Sequence, residues 1–382
     1  MNSPTHETEL NNNNNAAMKW LLLIFLVYLM LTAVSIIGTG FKIATSDQAK
    51  SLFEFAENPI AALVIGMTAT ALIQSSSTVS SIIVAMVAGG LPINIAIPMI
   101  MGANIGTSIT STLVSLGHIR DKDEFQKAFS AATVHDFFNV MAVLIFLPLE
   151  MMFGLLDKVS SFIVNLFSGG IAVSGSGFNP IKMVTGPVKD FVASLVSSLP
   201  EIAQGIILAS IGLVLIIVSI SLMGKIMRNL MVGQAKEILH KAIGKNALTG
   251  ISSGTVVTVL VQSSSTTTSL MVPLVGTGVL RTRDVYPFTL GANIGTCITA
   301  LIAALAATGE YAAFAMQIAI VHLCFNAMAV TLIYGVPLLR EVPLKLSEGL
   351  SLAVADKKIL GLAYIASLFF IVPLIALSYT AM

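Results

Sequence analysis

Gln74-Ser75-Ser76-Ser77-Thr78 interrupts an otherwise apolar run from residue 59 to 91, and the same five residues return as Gln262-Ser263-Ser264-Ser265-Thr266. Around this pair, Gly102-Ala103-Asn104-Ile105-Gly106-Thr107 recurs as Gly291-Ala292-Asn293-Ile294-Gly295-Thr296, and His135-x-x-x-Asn139 as His322-x-x-x-Asn326. The three offsets are 188, 189 and 187 residues, and Pro98 and Pro287 each stand four residues ahead of their Gly-Ala-Asn. Three motifs in one order at nearly one spacing identify an internal duplication.

The apolar arms on either side of the first interruption hold about 14 residues each, or about 20 Å of helix, too short for a ~30 Å hydrocarbon core. A broken or re-entrant helical hairpin is therefore expected in each copy. Apolar helices at about 20–41 and 201–224 lead into the two copies, and a last apolar run at about 359–379 has no partner in the first half.

Composition selects the solvent. Of 382 residues, 55% are hydrophobic and only 10% are charged, with a mean hydropathy of +0.91. A water-soluble surface needs roughly a quarter charged residues; a lipid-facing helical bundle does not. The formal charge of +1 excludes the usual basic nucleic-acid binder. Cys297 and Cys324 read as core packing, with no disulfide framework or transition-metal pair. The run from Trp20 to Phe41 is too long for a signal-peptide core and is expected to stay as a transmembrane helix.

The expected fold class is an all-α polytopic membrane protein. Its divisions are a disordered polar tail (1–17), a first membrane repeat (18–166), a connector (167–200), a second repeat (201–355) and an additional C-terminal transmembrane helix (356–382). After the first lead-in helix, residues 42–57 carry Lys42 and Lys50 against Asp47, Glu54 and Glu57; after the second, Lys225, Arg228, Lys236, Lys241 and Lys245 face only Glu237. The positive-inside rule puts the second segment in the cytoplasm and lets the first lie outside. The repeats are then inverted, as in many secondary transporters whose substrate sits between the halves.

Each interruption has usable chemistry. A broken helix exposes N–H groups at its new N-terminus, and serine hydroxyls add donors, so an anion can be held without Lys or Arg. Carbonyls freed on the other side of the break, with Ser, Thr, Asn and Gln oxygens, suit a small hard cation. Serines can instead serve helix packing, and Gly102-x-x-x-Gly106 and Gly291-x-x-x-Gly295 match the packing pattern. Asn104, Asn293, Thr107 and Thr296, set among those glycines, point to close backbone approach at a binding site. Asp136 enters a long apolar helix, and Leu323 replaces it in the second copy. Acidic groups at membrane depth usually mark ion paths. Gly250-Ile251-Ser252-Ser253-Gly254 fits an esterase pattern, but no strand-turn-helix unit accompanies it, and no enzyme activity is expected.

These motifs, together with Ala128 to Asn139 (AFSAATVHDFFN), resemble the type II sodium/phosphate cotransporter family, over about residues 58–150 and 246–335. Short connectors suggest a bacterial member in the inner membrane, with a cytoplasmic N-terminus. The resemblance implies sodium-coupled symport of inorganic phosphate, chiefly the divalent form, through an elevator-type fold, with Na+ as coupling ion and no cofactor. It assigns phosphate binding to Gln74, Ser75, Ser76, Ser77, Gln262, Ser263, Ser264 and Ser265, with Asn104 and Asn293 beside them. It assigns sodium to Asp136, Asn139 and Thr296, and Thr107 and Asn326 join as their repeat counterparts. Asp after the histidine implies the electrogenic type, three sodium ions per divalent phosphate, although Ser130 stands where electrogenic members usually carry Ala. A carrier of another small oxyanion or dicarboxylate, and a channel or non-transporting membrane subunit, are the competing readings. The sequence leaves the oligomeric state open.

Overall fold

The computed structural model describes residues 4–45, 58–168, 180–242 and 246–380, and among them it contains helices and no strand. Among the described residues, seven helical segments are long and apolar enough to cross a membrane: Ala17–Ala44, Ile93–His118, Lys122–Phe153, Glu201–Met231, Thr282–Ala304, Ala312–Tyr334 and Ile359–Ser378. The protein is a multi-pass, all-α membrane protein. Residues 46–57, most of the first charged segment, and 169–179, in the first part of the expected connector, lie outside the described residues.

The first helix, α1 (Pro4–Ala44), runs back through the polar segment expected as a disordered tail. Extending an existing helix adds one hydrogen bond per residue fixed, without the cost of nucleation. Next come α2 (Pro59–Ile73) and α3 (Ser76–Ala88), of 15 and 13 residues, separated by Gln74 and Ser75. Then follow α4 (Ile93–Thr107), the short α5 (Ile109–Ser115), the long α6 (Lys122–Phe153) and α7 (Leu155–Ser168). Helix α8 (Pro180–Leu195) occupies much of the expected connector.

The second copy starts on α9 (Glu201–Ala242), a 42-residue helix whose final turns carry the basic stretch expected as a loop. It continues with α10 (Ala247–Val261), α11 (Ser264–Ser269), α12 (Met271–Gly276), α13 (Thr282–Ala304) and α14 (Ala312–Ala329). Helix α15 (Pro337–Asp356), α16 (Ile359–Ala366) and α17 (Val372–Thr380) end the chain, and a π-helical segment joins the last two.

Glycine contacts fix the helix directions. A methyl group built on Gly102 would collide with the Leu63 carbonyl, and one on Gly106 with the region of Met67 and Thr70. Position rises together on both helices, so α2 and α4 run parallel and in close contact. Gly291 meets Ile251, and Gly295 meets Thr255 and Thr258, so α10 and α13 repeat the arrangement. Because α4 starts level with the beginning of α2, and only Gly89 to Pro92 join α3 to α4, the chain doubles back at Gln74. Four residues reach at most ~14 Å, too short to return from a straight continuation of α2. The lead-in helices behave oppositely. Gly40 meets Gly205 and Ala209, Gly205 meets Ala44, and Gly212 meets Ala33 and Ile37, so α1 and α9 are antiparallel.

Candidate functional site

The two breaks have one local structure. Gln74 and Gln262 both adopt φ 56° and are the only non-glycine residues with positive φ among the described residues. A left-handed conformation costs an ordinary L-residue roughly 1–2 kcal/mol. The Gln74 N–H bonds the Thr70 carbonyl at 2.7 Å, closing α2. Ser75 and Ser263 are extended N-caps whose hydroxyls accept from the N–H groups of Thr78 and Thr266 at 3.3 and 3.1 Å. Serine at this position satisfies one orphan donor and leaves the neighbouring N–H groups of the first turn facing the break.

The breaks meet. The Ser76 and Ser264 hydroxyl oxygens approach to 3.5 Å, and just beyond them Ser111 on α5 and Thr268 on α11 share a hydrogen bond of 2.8 Å. A cavity of about 450 Å³ opens beside them, lined by Gln74, Ser75, Gln262, Ser263, Ser265 and Thr266 from the breaks, Thr110 and Val114 from α5, and Ile220, Gly224 and Arg228 from α9. The Thr110 and Ser269 hydroxyls on its wall are buried and lack a partner. Among the described residues, no acidic residue lines it and Arg228 has no ion pair. A concave, hydroxyl-rich surface with one cation has the chemistry of an anion site.

Of the residues assigned to phosphate from sequence, Gln74, Ser75, Gln262, Ser263 and Ser265 line this cavity. Ser76 and Ser264 lie at the junction of the tips, and Ser77 is buried behind it with its carbonyl taken up by Ser80 and Ser81. Asn104 and Asn293 sit elsewhere. The His135 ring Nε2 pairs with the Asn293 amide oxygen at 2.8 Å, the Asn293 amide donates to Asn139 at 2.8 Å, and Asn139 donates to the Asn104 carbonyl at 2.9 Å. This buried chain ties α6 to α13 and α4. Its counterpart is not formed. The Asn104 amide bonds the Ile100 carbonyl within its own helix, the Asn326 amide bonds the His322 carbonyl and, across to α13, the Cys297 Sγ at 3.5 Å, and both His322 ring nitrogens lack partners.

The residues assigned to sodium are all buried. Thr107 and Thr296 donate to carbonyls one turn earlier, Ala103 and Ala292, at 3.0 Å each. Asp136 is 0% exposed. Its Oδ2 accepts from Thr112 at 3.2 Å and from Tyr364 at 2.9 Å, whereas Oδ1 has no partner. A buried carboxylate without a cation is strongly disfavoured, so this oxygen is suited to an ion.

Arg228, Tyr364 and Thr112 were not assigned from sequence. Arg228 is hidden in a basic run that reads as a topology signal, and Tyr364 in an apolar helix without a repeat partner; neither carries a local signature. Ser253, in the esterase-like pentapeptide, is buried and bonded to the Gly250 carbonyl, while Gly254 packs on Phe288. The pentapeptide is a helix-packing surface.

The sequence profile of the Na+/Pi-cotransporter family matches residues 29–172 and 215–339. Sodium-dependent phosphate transport protein 2A of Ovis aries is 32% identical over 427 residues, covering 92% of this chain and 66% of the relative. The Rattus norvegicus 2A protein is also 32% identical, over 92% of this chain and 66% of its own length. Protein 2B of Homo sapiens is 30% identical over 444 residues, covering 93% of this chain and 64% of the relative. The chain thus spans about two thirds of the length of these curated relatives. No solved structure matches it. The profile covers both copies of the Gln-Ser-Ser-Ser motif, and on that match the chain belongs to the Na+/Pi-cotransporter family, a family of transporters.

Proposed function

We propose that the protein is a sodium-coupled symporter of inorganic phosphate, chiefly the divalent form. The observation that carries this reading is the meeting of the two helix breaks at Ser76 and Ser264 beside a cavity with hydroxyls, amides and Arg228 but no acidic wall. The family match supports it, as do relatives named for sodium-dependent phosphate transport.

In this reading phosphate is held by the first-turn N–H groups of α3 and α11 and by the Gln and Ser side chains that line the cavity. Asn104 and Asn293 act behind it, joining helices. Sodium occupies sites built from the Asp136 Oδ1, from Asn139 and Asn326, and from Thr107 and Thr296, whose intrahelical bonds can be exchanged for an ion without unwinding the helix. Cations bound near the dianion offset the penalty of placing it in a poorly solvated site. Binding of the two ligands is then mutually favourable. Three sodium ions with a divalent phosphate move one net charge, worth about 2.3 kcal/mol per 100 mV. Asp136, present in one copy only, makes the cycle electrogenic.

The antiparallel α1 and α9, beside parallel pairs within each copy, support inverted repeats. The hairpins then enter from opposite faces, and the body holding both moves against α1 and α9 as in an elevator. The basic end of α9 supports a cytoplasmic Arg228 side of the cavity and a cytoplasmic N-terminus, in keeping with a bacterial inner membrane.

Competition for labelled phosphate uptake tests the substrate. Unlabelled phosphate and arsenate are expected to compete, and sulfate and succinate to have no effect at equal concentration. Stronger competition by succinate than by phosphate would transfer the reading to a dicarboxylate carrier.

A further inference from the structure

We propose that Tyr364, on a C-terminal helix that has no counterpart in the first repeat, is a positioning residue for the coupling ion: its hydroxyl occupies the Oδ2 of Asp136 and so reserves Oδ1 for sodium. This rests on the reading of Asp136 as a sodium ligand.

A carboxylate offers about two lone-pair directions on each oxygen. The Thr112 hydroxyl donates to Oδ2 from α5 and the Tyr364 hydroxyl from α16, at 3.2 and 2.9 Å. Oδ2 is thereby filled from two sides, the Ser108 hydroxyl stands beside the same carboxylate, and Oδ1 is buried without a hydrogen-bond partner of its own. A short hydroxyl–carboxylate bond stabilises the charged form of the acid and fixes its rotation. Without Tyr364 the carboxylate has one donor fewer, and either oxygen can turn toward the ion.

The tyrosine is itself held firmly. Its ring lies 6.0 Å from that of Phe129 and 6.1 Å from that of Phe137, both on α6, the helix that carries Asp136. One turn earlier, Gly361 brings α16 against Val354, Phe129 and Phe125; a methyl group there would approach Val354 to 2.9 Å. A glycine at the contact thus lets the tyrosine reach the acid. There is also a match of copy number. The second repeat has Leu323 where the first has Asp136, and the terminal helix supplies one tyrosine for that one acid. This single-copy device gives the added helix a role in coupling.

Tyr364→Phe removes the hydroxyl and keeps the ring. The readout is sodium-dependent thermal stabilisation of the purified full-length protein, with choline as the reference salt, alongside phosphate uptake. We expect the half-saturating sodium concentration to rise about tenfold, as for loss of one hydrogen bond to a charged group, with phosphate half-saturation at high sodium changed less than about twofold. Phe129→Leu loosens one of the aromatic contacts but keeps the hydroxyl; it should lower the melting temperature and shift the sodium midpoint much less than Tyr364→Phe does. In an Asp136→Gly background the tyrosine substitution should have no further effect on sodium. An unchanged sodium midpoint in Tyr364→Phe, an equal shift in Phe129→Leu, or an additive shift in the double variant would overturn the proposal. If the wild-type protein shows neither sodium stabilisation nor sodium-dependent uptake, the symport reading itself fails, a result distinct from these.

Discussion

Asn104 and Asn293 are equivalent in sequence and unequal in the structure, and replacing each by alanine exposes the difference. Asn293→Ala removes the partner of the His135 ring nitrogen and of the Asn139 amide oxygen, both inside the protein. An orphaned buried polar group costs about 1–3 kcal/mol, which sets an upper range of roughly 2–6 kcal/mol for the two. Interhelical hydrogen bonds in membrane proteins average nearer 0.6 kcal/mol each, because the unfolded chain finds other partners. Between these limits we expect a loss of about 2–4 kcal/mol. Asn104→Ala deletes only a side-chain bond to the Ile100 carbonyl within its own helix, and the Asn104 main-chain carbonyl still accepts from Asn139. Its expected cost is below about 1 kcal/mol, typical of a typical intrahelical bond. Equilibrium unfolding in mixed detergent micelles, followed by circular dichroism, measures both. Equal losses, or a larger loss for Asn104→Ala, would refute the asymmetric network.

Four further substitutions address packing, charge and ion coupling. Gly102→Val should prevent close pairing of α2 and α4 and sharply lower the yield of folded protein in detergent, whereas Gly117→Ala, with open space around it, should match wild type in size-exclusion profile. Arg228→Gln should weaken phosphate binding from the cavity side. A unit charge and a dianion about 9 Å apart in water interact by about 0.9 kcal/mol, so the half-saturating concentration should rise roughly four- to fivefold at low salt and less at high salt. Asp136→Gly should abolish the phosphate-induced current recorded on solid-supported membranes yet retain sodium-dependent uptake.

The helix breaks and the lead-in helices were legible because each rests on a local pattern: arms too short to span, and long apolar runs. The glycine pairs also read correctly as packing surfaces, since a small residue every fourth position has one main use between helices. What the sequence could not convey is which equivalent residues do equivalent work. His135 and His322 look alike, yet only His135 meets an asparagine across the repeat boundary. The expected tail is helical from Pro4, and the basic segment after Lys225 continues α9, because helix extension has no sequence signal beyond the absence of a stop. Arg228 and Tyr364 became visible only when distant helices were brought together around the cavity and Asp136.

The central claim is coupling of phosphate movement to sodium through the joined helix breaks. Its most direct test is uptake of labelled phosphate into proteoliposomes containing the purified protein, with an inward sodium gradient or an equal choline gradient and no initial phosphate gradient. The account predicts transient accumulation of phosphate above the external concentration with sodium, and none with choline. Equal uptake in the two salts, rising only to the external concentration, would contradict it.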